Sequence, residues 1–385
     1  MSHTRRYTRM LRTEVKSMSL LMNYNDQRYI EIAQLVFEEQ FRRDPKLEKE
    51  LDERRRRLMY DDVIYNISFL MTAVHFSDSS IFIRYARWIF ELLCNIMKDL
   101  DRNRIMEHMT GHYRILSEIL NSKGSRFLSA EDLAKATQYL GLAVQVTCDA
   151  VRDIPLPSSF VQDGLFDIKT AYLDALLGDQ TKKAHAVISS ARKQGLPLVQ
   201  IYEEVLTKVM HEVGALWHRN AITVDKEHYA TTVTQTVISS FYDEIFESPR
   251  VGRTLVSCAV GSELHEMGIR MLSDIFEYRG WDTFYLGAAL PENAILEAIR
   301  AHQPDLVALS VTMPPYLSDC EKIVKAIKAK HPNVKIAVGG QAFGMTDSLW
   351  SKWGIDCYSD TAEGLITWAE EKFGKQKETD GKAHG

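Results

Sequence analysis

Thr254-Leu255-Val256-Ser257-Cys258-Ala259-Val260, then Gly261-Ser262, then Glu263-Leu264-His265-Glu266-Met267-Gly268 is the stretch that decides the fold. Its first seven residues are apolar and β-prone, a run with the length and bounds of a buried strand. From Glu263 to Glu277 the apolar spacing turns helical. The same change of period recurs downstream. Strands are expected at Thr283–Leu286, Leu306–Val311 and Val334–Val338, with a weaker one near Asp356–Tyr358. Helices are expected at Glu292–Ala301, Asp319–Ala329 and Ala362–Phe373. Five alternations of strand and helix predict a doubly wound, Rossmann-like parallel sheet over residues 252–374. Residues 375–385 are polar and read as a disordered tail.

Upstream the pattern is helical throughout. Asp153-Ile154-Pro155-Leu156-Pro157-Ser158-Ser159 marks a boundary. Beyond it, Phe166–Leu177, Gln180–Lys193, a helix bearing Leu198, Ile201, Val205, Val209, Val213 and Leu216, and Asp225–Phe246 predict a four-helix bundle within 160–248. Residues 1–123 contain one glycine, Gly111, and one proline, Pro45, out of 20 and 10 in the chain. Both residues disfavour helix interiors, so residues 1–152 read as a separate helical module. Its clearest stripe is Ile81, Phe82, Tyr85, Trp88, Ile89, Leu92, Leu93, Ile96 and Met97. Lys46–Arg57, ending in four arginines, reads as a solvated helix face, with an anion or nucleic-acid contact as the alternative. Asn121–Ser125 reads as a loop, and Ser129 with Asp132 as a capping box for the helix that follows.

Composition bounds the rest. With 385 residues, 45% hydrophobic and 26% charged, the chain reads as two or three globular domains. The net charge is −5, and no basic stripe suggests nucleic-acid binding. Five scattered cysteines form no CxxC pair, which argues against a zinc site or a disulfide framework. No signal peptide or membrane-length apolar stretch can be read, so a cytoplasmic location is expected.

In an open parallel sheet, ligands bind outside the carboxyl ends of the strands. Three such loops carry Glu263-Leu264-His265-Glu266-Met267-Gly268, Ser310-Val311-Thr312 and Gly339-Gly340. Forty-one residues separate Gly268 from Ser310, and 26 separate Thr312 from Gly339. These motifs and separations resemble the methionine-synthase-type cobalamin-binding domain. That family reads Asp-x-His-x-x-Gly, Ser-x-Leu and Gly-Gly. By that resemblance His265 is the lower axial cobalt ligand, with the cofactor's own base displaced, and Glu263 is its carboxylate partner. Ser310 and Thr312 contact the displaced base, Gly339 and Gly340 admit the nucleotide tail, and Gly268 completes the loop. The chain departs from the motif in Glu263 for Asp and Thr312 for Leu. A neutral imidazole fixed by a carboxylate on its other nitrogen suits such a ligand.

The last two bundle helices are joined through Trp217-His218 and, nine residues on, Glu227-His228. Trp, nine residues and Glu-His, with a histidine after the tryptophan, resemble the cap of CarH-type adenosylcobalamin photoreceptors. That resemblance implies Trp217 packed on an upper-face adenosyl group, Glu227 bonded to it and His228 completing the wall. It also implies His218 as the cobalt ligand after photolysis, in a light-driven two-state switch. The bland alternative makes Trp217 a core residue and the Glu227-His228 pair a plain first helical turn.

Such repressors carry an N-terminal DNA-binding module, and no helix-turn-helix pattern is read here, so direct DNA binding is not expected. The plan of a helical module before cap and sheet also resembles the photocobilins, which couple cobalamin to a bilin. With no attachment motif, biliverdin would be held non-covalently, and Arg84, Tyr85, Arg87 and His75 are its conceivable partners. The expected function is a cytoplasmic, homodimeric light sensor acting on an unidentified downstream protein, with no membrane contact. The alternatives are a corrinoid methyl carrier of a methyltransferase system and a light-independent cobalamin sensor.

Overall fold

The computed structural model describes residues 26–152, 160 and 162–374. The boundary read at 153–159 and the tail read at 375–385 lie outside the described residues, as do the first 25.

The chain divides into two compact units. The first comprises residues 26–152 together with two short later segments, Met313–Ser318 and Met345–Leu349. Its five long helices are α1 (Gln27–Arg43), α2 (Glu53–Phe76), α3 (Ser79–Ile96), α4 (Arg102–Lys123) and α5 (Ala130–Ala150). Each begins where a side-chain oxygen satisfies a free N–H of its first turn. Asp26, Asp52, Asp78, Asp101 and Ser129 accept from Arg28, Arg55, Ser80, Arg104 and Asp132. Such caps are worth about 1 kcal/mol apiece. Helix α2 is buried on almost every side, and its polar Ser68 and Thr72 are tolerated because each hydroxyl bonds the carbonyl four residues back.

Three expectations change here. Lys46–Arg57 is not one helix, because the Asp52 cap starts α2 afresh after the short turn Leu47–Glu50. The α3 stripe is narrower than its sequence pattern, with Trp88 and Ile96 exposed. The residues read as a loop at Asn121 instead continue α4 to Lys123, followed by a 3-10 turn, Gly124–Arg126.

The second unit holds the remaining elements. Its helical part is α6 (Phe166–Leu177), α7 (Thr181–Lys193), α8, α9 (Val224–Ser239) and α10 (Tyr242–Phe246). Helix α8 runs through Leu198–Gln200, a π-helical turn Ile201–Leu206, and Thr207–His218. The helix expected over Asp225–Phe246 is broken between Ser239 and Tyr242.

The sheet part is β1 (Thr254–Ala259), α11 (Met267–Tyr278), β2 (Asp282–Tyr285), α12 (Glu292–His302), β3 (Leu306–Ser310), α13 (Leu317–Lys330), β4 (Lys335–Gly339), β5 (Cys357–Tyr358) and α14 (Ala362–Phe373). All pairings are parallel, in the order β2-β1-β3-β4-β5. That order is a Rossmann-like doubly wound sheet, and its strand order reverses between β1 and β3. One apolar core runs through the unit, from Tyr172, Tyr202, Val209 and Val237 to Leu255, Ile275 and Phe276.

Candidate functional site

The reversal point is where the chemistry gathers. Helix α11 starts at Met267, four residues later than the sequence pattern suggests. The reason is Glu263, which is 1% exposed and spends both carboxylate oxygens on the surrounding loops. Its Oε2 lies 2.9 Å from His265 Nδ1, and its Oε1 accepts the Thr312 N–H at 2.9 Å. A helix begun at Glu263 would turn that carboxylate away from both. The loop after β1 is thus tied to the loop after β3 through one buried acid.

The bond from Glu263 holds the His265 imidazolium above the ordinary histidine range. Burial pulls the other way, and the charges of Glu263 and of Glu227 on α9 add to the rise. The cap residue Glu227 therefore lies within electrostatic reach of the His265 ring. Glu227 also accepts the Thr231 hydroxyl at 3.0 Å and stands 2.7 Å from His228 Nδ1, whose side chain is 74% exposed. Trp217 and His218 are half-buried at the C-terminal end of α8.

The glycines differ in kind. Gly340 has φ +96°, and a Cβ there would overlap the Val311 carbonyl oxygen and come within 2.9 Å of Ser310 Oγ. A Cβ at Gly339 would stand 2.6 Å from the Ser359 carbonyl oxygen. Both positions need glycine for the protein's own backbone. Around Gly268 there is open space, so nothing in the protein demands glycine there. That leaves room beside the His265 loop for a ligand to approach.

Four residues around this point escaped the sequence reading. Tyr285 donates to Glu266 Oε2 at 2.9 Å, bracing the loop from the end of β2. Leu264, 70% exposed, projects between Glu263 and His265. Arg270 of α11 bonds Ser239 Oγ at 2.8 Å and the Tyr242 hydroxyl at 2.9 Å, and Tyr202 of α8 donates to Asp274 at 3.3 Å. The cap helices thus rest on α11, which begins two residues beyond His265. Of the four, only Leu264 lies within the motif read from the sequence, and its exposure is set by the fold.

Two family models match this unit. Residues 253–365 match a B12 binding domain, and residues 168–240 match a second B12 binding domain model. A dimethylamine corrinoid protein of Methanosarcina acetivorans is 25% identical over 198 residues, covering 50% of this chain and 92% of the relative. The HTH-type transcriptional repressor CarA of Myxococcus xanthus is 25% identical over 237 residues, covering 61% of this chain and 77% of that protein. Among solved structures, the monomethylamine corrinoid protein of Methanosarcina barkeri aligns with a TM-score of 0.48 at 16% identity, over 54% of this chain and all of its own. The chain therefore carries B12-binding domains, and the cofactor they indicate is a corrinoid. Among the described residues, no helix is long and apolar enough to cross a membrane.

Proposed function

We propose that the second unit binds adenosylcobalamin between its helical cap and the carboxyl ends of its strands, and that the chain senses light through it. The observation that carries this reading is the relay from the Thr312 N–H through buried Glu263 to His265, within electrostatic reach of Glu227. Glu263 fixes Nδ1 as the hydrogen-bonded nitrogen, which leaves Nε2 for cobalt. Ser310 and Thr312 would contact the displaced base, Gly339 and Gly340 would admit the nucleotide tail, and the open space at Gly268 leaves room beside His265. Trp217, Glu227 and His228 form the wall on the upper side, and His218 stands next in line as a second ligand. When bound, adenosylcobalamin supplies a cobalt–carbon bond that green light cleaves. Without the adenosyl group the Trp217 wall would have nothing to pack against, and the cap would settle differently in the two states.

The first unit completes the reading as a homodimer and partner-docking module that also holds biliverdin without a covalent link. Support comes from buried polar atoms without hydrogen-bond partners, Asn66 Oδ1 and the Tyr85 and Tyr113 hydroxyls among them. Exposed Trp88 and Ile96 support a contact between copies. The second reading, a corrinoid methyl carrier, is favoured by the likeness to the dimethylamine corrinoid protein.

The test is an absorption spectrum of the full chain with adenosylcobalamin before and after green light, with and without biliverdin. A histidine-bound, base-off spectrum that shifts on illumination is expected. An unchanged spectrum overturns light sensing, and turnover of methylcobalamin by a methylamine methyltransferase would favour the carrier. His265→Ala is expected to abolish the histidine-bound spectrum, and its retention would remove His265 as ligand.

A further inference from the structure

Helix α8 ends in Trp217 and His218 and contains a π-turn near its start. In an α-helix each N–H reaches back four residues. Here the Thr207 N–H reaches back five, to the Tyr202 carbonyl, and the Thr207 hydroxyl donates to the same oxygen at 2.9 Å. The turn therefore has two donors on one carbonyl, and the second exists only because residue 207 carries a hydroxyl.

A π-turn is one residue inserted into an α-helix. Every side chain beyond it is set back by one position, about 100° of rotation and about 1.5 Å of rise. Trp217 therefore stands where an unbroken helix would put Leu216, and His218 stands where it would put Trp217. The near side of the turn has a fixed reference. Tyr202 is fully buried, and its hydroxyl donates to Asp274 on α11 at 3.3 Å and to the Ile238 carbonyl of α9 at 3.5 Å. Helix α11 is the one that leaves the His265 loop.

We propose that this extra residue, pinned by Thr207 and Tyr202, sets which of Leu216, Trp217 and His218 faces the upper side of the cofactor. Thr207 and Tyr202 are then positioning residues for the Trp217 wall, acting from about three and about four turns away. The proposal rests on the adenosylcobalamin reading for what Trp217 faces, and the register itself does not. Drawing the turn out into α-helix advances all three residues one place. Leu216 then takes the place of Trp217, and a flat aromatic surface is replaced by a branched aliphatic one.

The test removes the extra residue and then gives it back. Deleting Glu204 from the full chain removes the turn together with the extra residue, so 211–218 keep their places on an unbroken α-helix. Adding one alanine between Met210 and His211 to that deletion restores the chain length without the turn and advances 211–218 by one place. In the unloaded chain, hydroxyl-radical footprinting read by mass spectrometry is expected to leave the oxidation of Trp217 unchanged in the deletion and to alter it severalfold once the insertion is added. With adenosylcobalamin, the deletion is expected to keep both the His265-bound spectrum and the light-driven shift, and the added insertion to abolish the shift. An altered footprint in the deletion, or an unchanged one with the insertion added, overturns the proposal.

If footprints follow register while no form, the unaltered chain included, responds to light, the register stands and the light-sensing reading fails. Thr207→Val keeps the chain length and removes only the hydroxyl. Severalfold faster deuterium uptake at residues 203–207, with uptake in α11 unchanged, is expected, and equal uptake in both forms overturns the role given to Thr207.

Discussion

At the scale of single residues, the second unit carries a buried acid that works against it at neutral pH. Burial raises the Asp274 carboxyl to about 7, with the nearby Glu277 charge adding to the rise and Arg270 and the Tyr202 hydroxyl opposing it. A carboxyl raised on folding stabilises the fold while protonated. Its contribution is complete below the ordinary carboxylate range and is lost as pH rises through about 7. Asp274→Asn keeps a neutral polar group in place at every pH. The variant's melting temperature should therefore gain on the parent's between pH 5 and pH 8, by roughly a few degrees. Equal pH profiles for the two proteins would show that Asp274 is ionised in the fold. Asp62 in the first unit is raised to about 7 by burial and by Asp61, and should behave in the same direction. Neither acid stands out in the sequence. Each is one carboxylate among 52 acidic residues, and its titration depends on neighbours brought together only by folding.

At the scale of elements, the strands and most helices were legible because period 2 and period 3.6 are local properties. Observed β1 to β5 fall within about two residues of expectation, the usual uncertainty of element ends. Two of the failures turn on a side chain engaged by a backbone N–H. Glu263 gives up helix for two hydrogen bonds, one of them 49 residues away in sequence. Asp52 interrupts a helical pattern by capping the next helix, with its side chain 2.8 Å from the Arg55 N–H. Asp52→Ala should therefore cost about 1 kcal/mol in denaturant unfolding. At Gly340 the positive φ and the Val311 carbonyl act together. Gly340→Ala should destabilise the second unit by more than about 2 kcal/mol, seen as a lowered denaturation midpoint even without cofactor. The π-turn of α8 was invisible, since its apolar positions still recur at three and four residues.

At the scale of the whole molecule, the site motifs could be read because their spacing along the chain reflects the strand order, and the loops after β1 and β3 must meet at the reversal. That two short segments from the sheet half of the chain join the first unit could not be read. Apolar periodicity assigns a segment to a helix or strand and says nothing of which core it joins. Met313–Ser318 and Met345–Leu349 belong with the N-terminal helices, and Asp78 shows how. Its carboxylate caps α3 through the Ser80 N–H at 3.0 Å and also accepts the Asp347 N–H at 2.7 Å. Asp78→Ala removes both bonds at once and should cost about 2 kcal/mol, more than Asp52→Ala, with the difference read from paired denaturant titrations. Equal costs would mean the Asp347 bond contributes nothing.

That discontinuity bears on how the protein is made. Domains are generally completed in order as the chain leaves the ribosome, the N-terminal one first. Here the five N-terminal helices can form early, but their unit is not whole until residue 349 has been synthesised. By then β1 to β4 have already been synthesised. The last pieces of the first unit are therefore made after four of the five strands of the second, so neither unit is complete before most of the other exists.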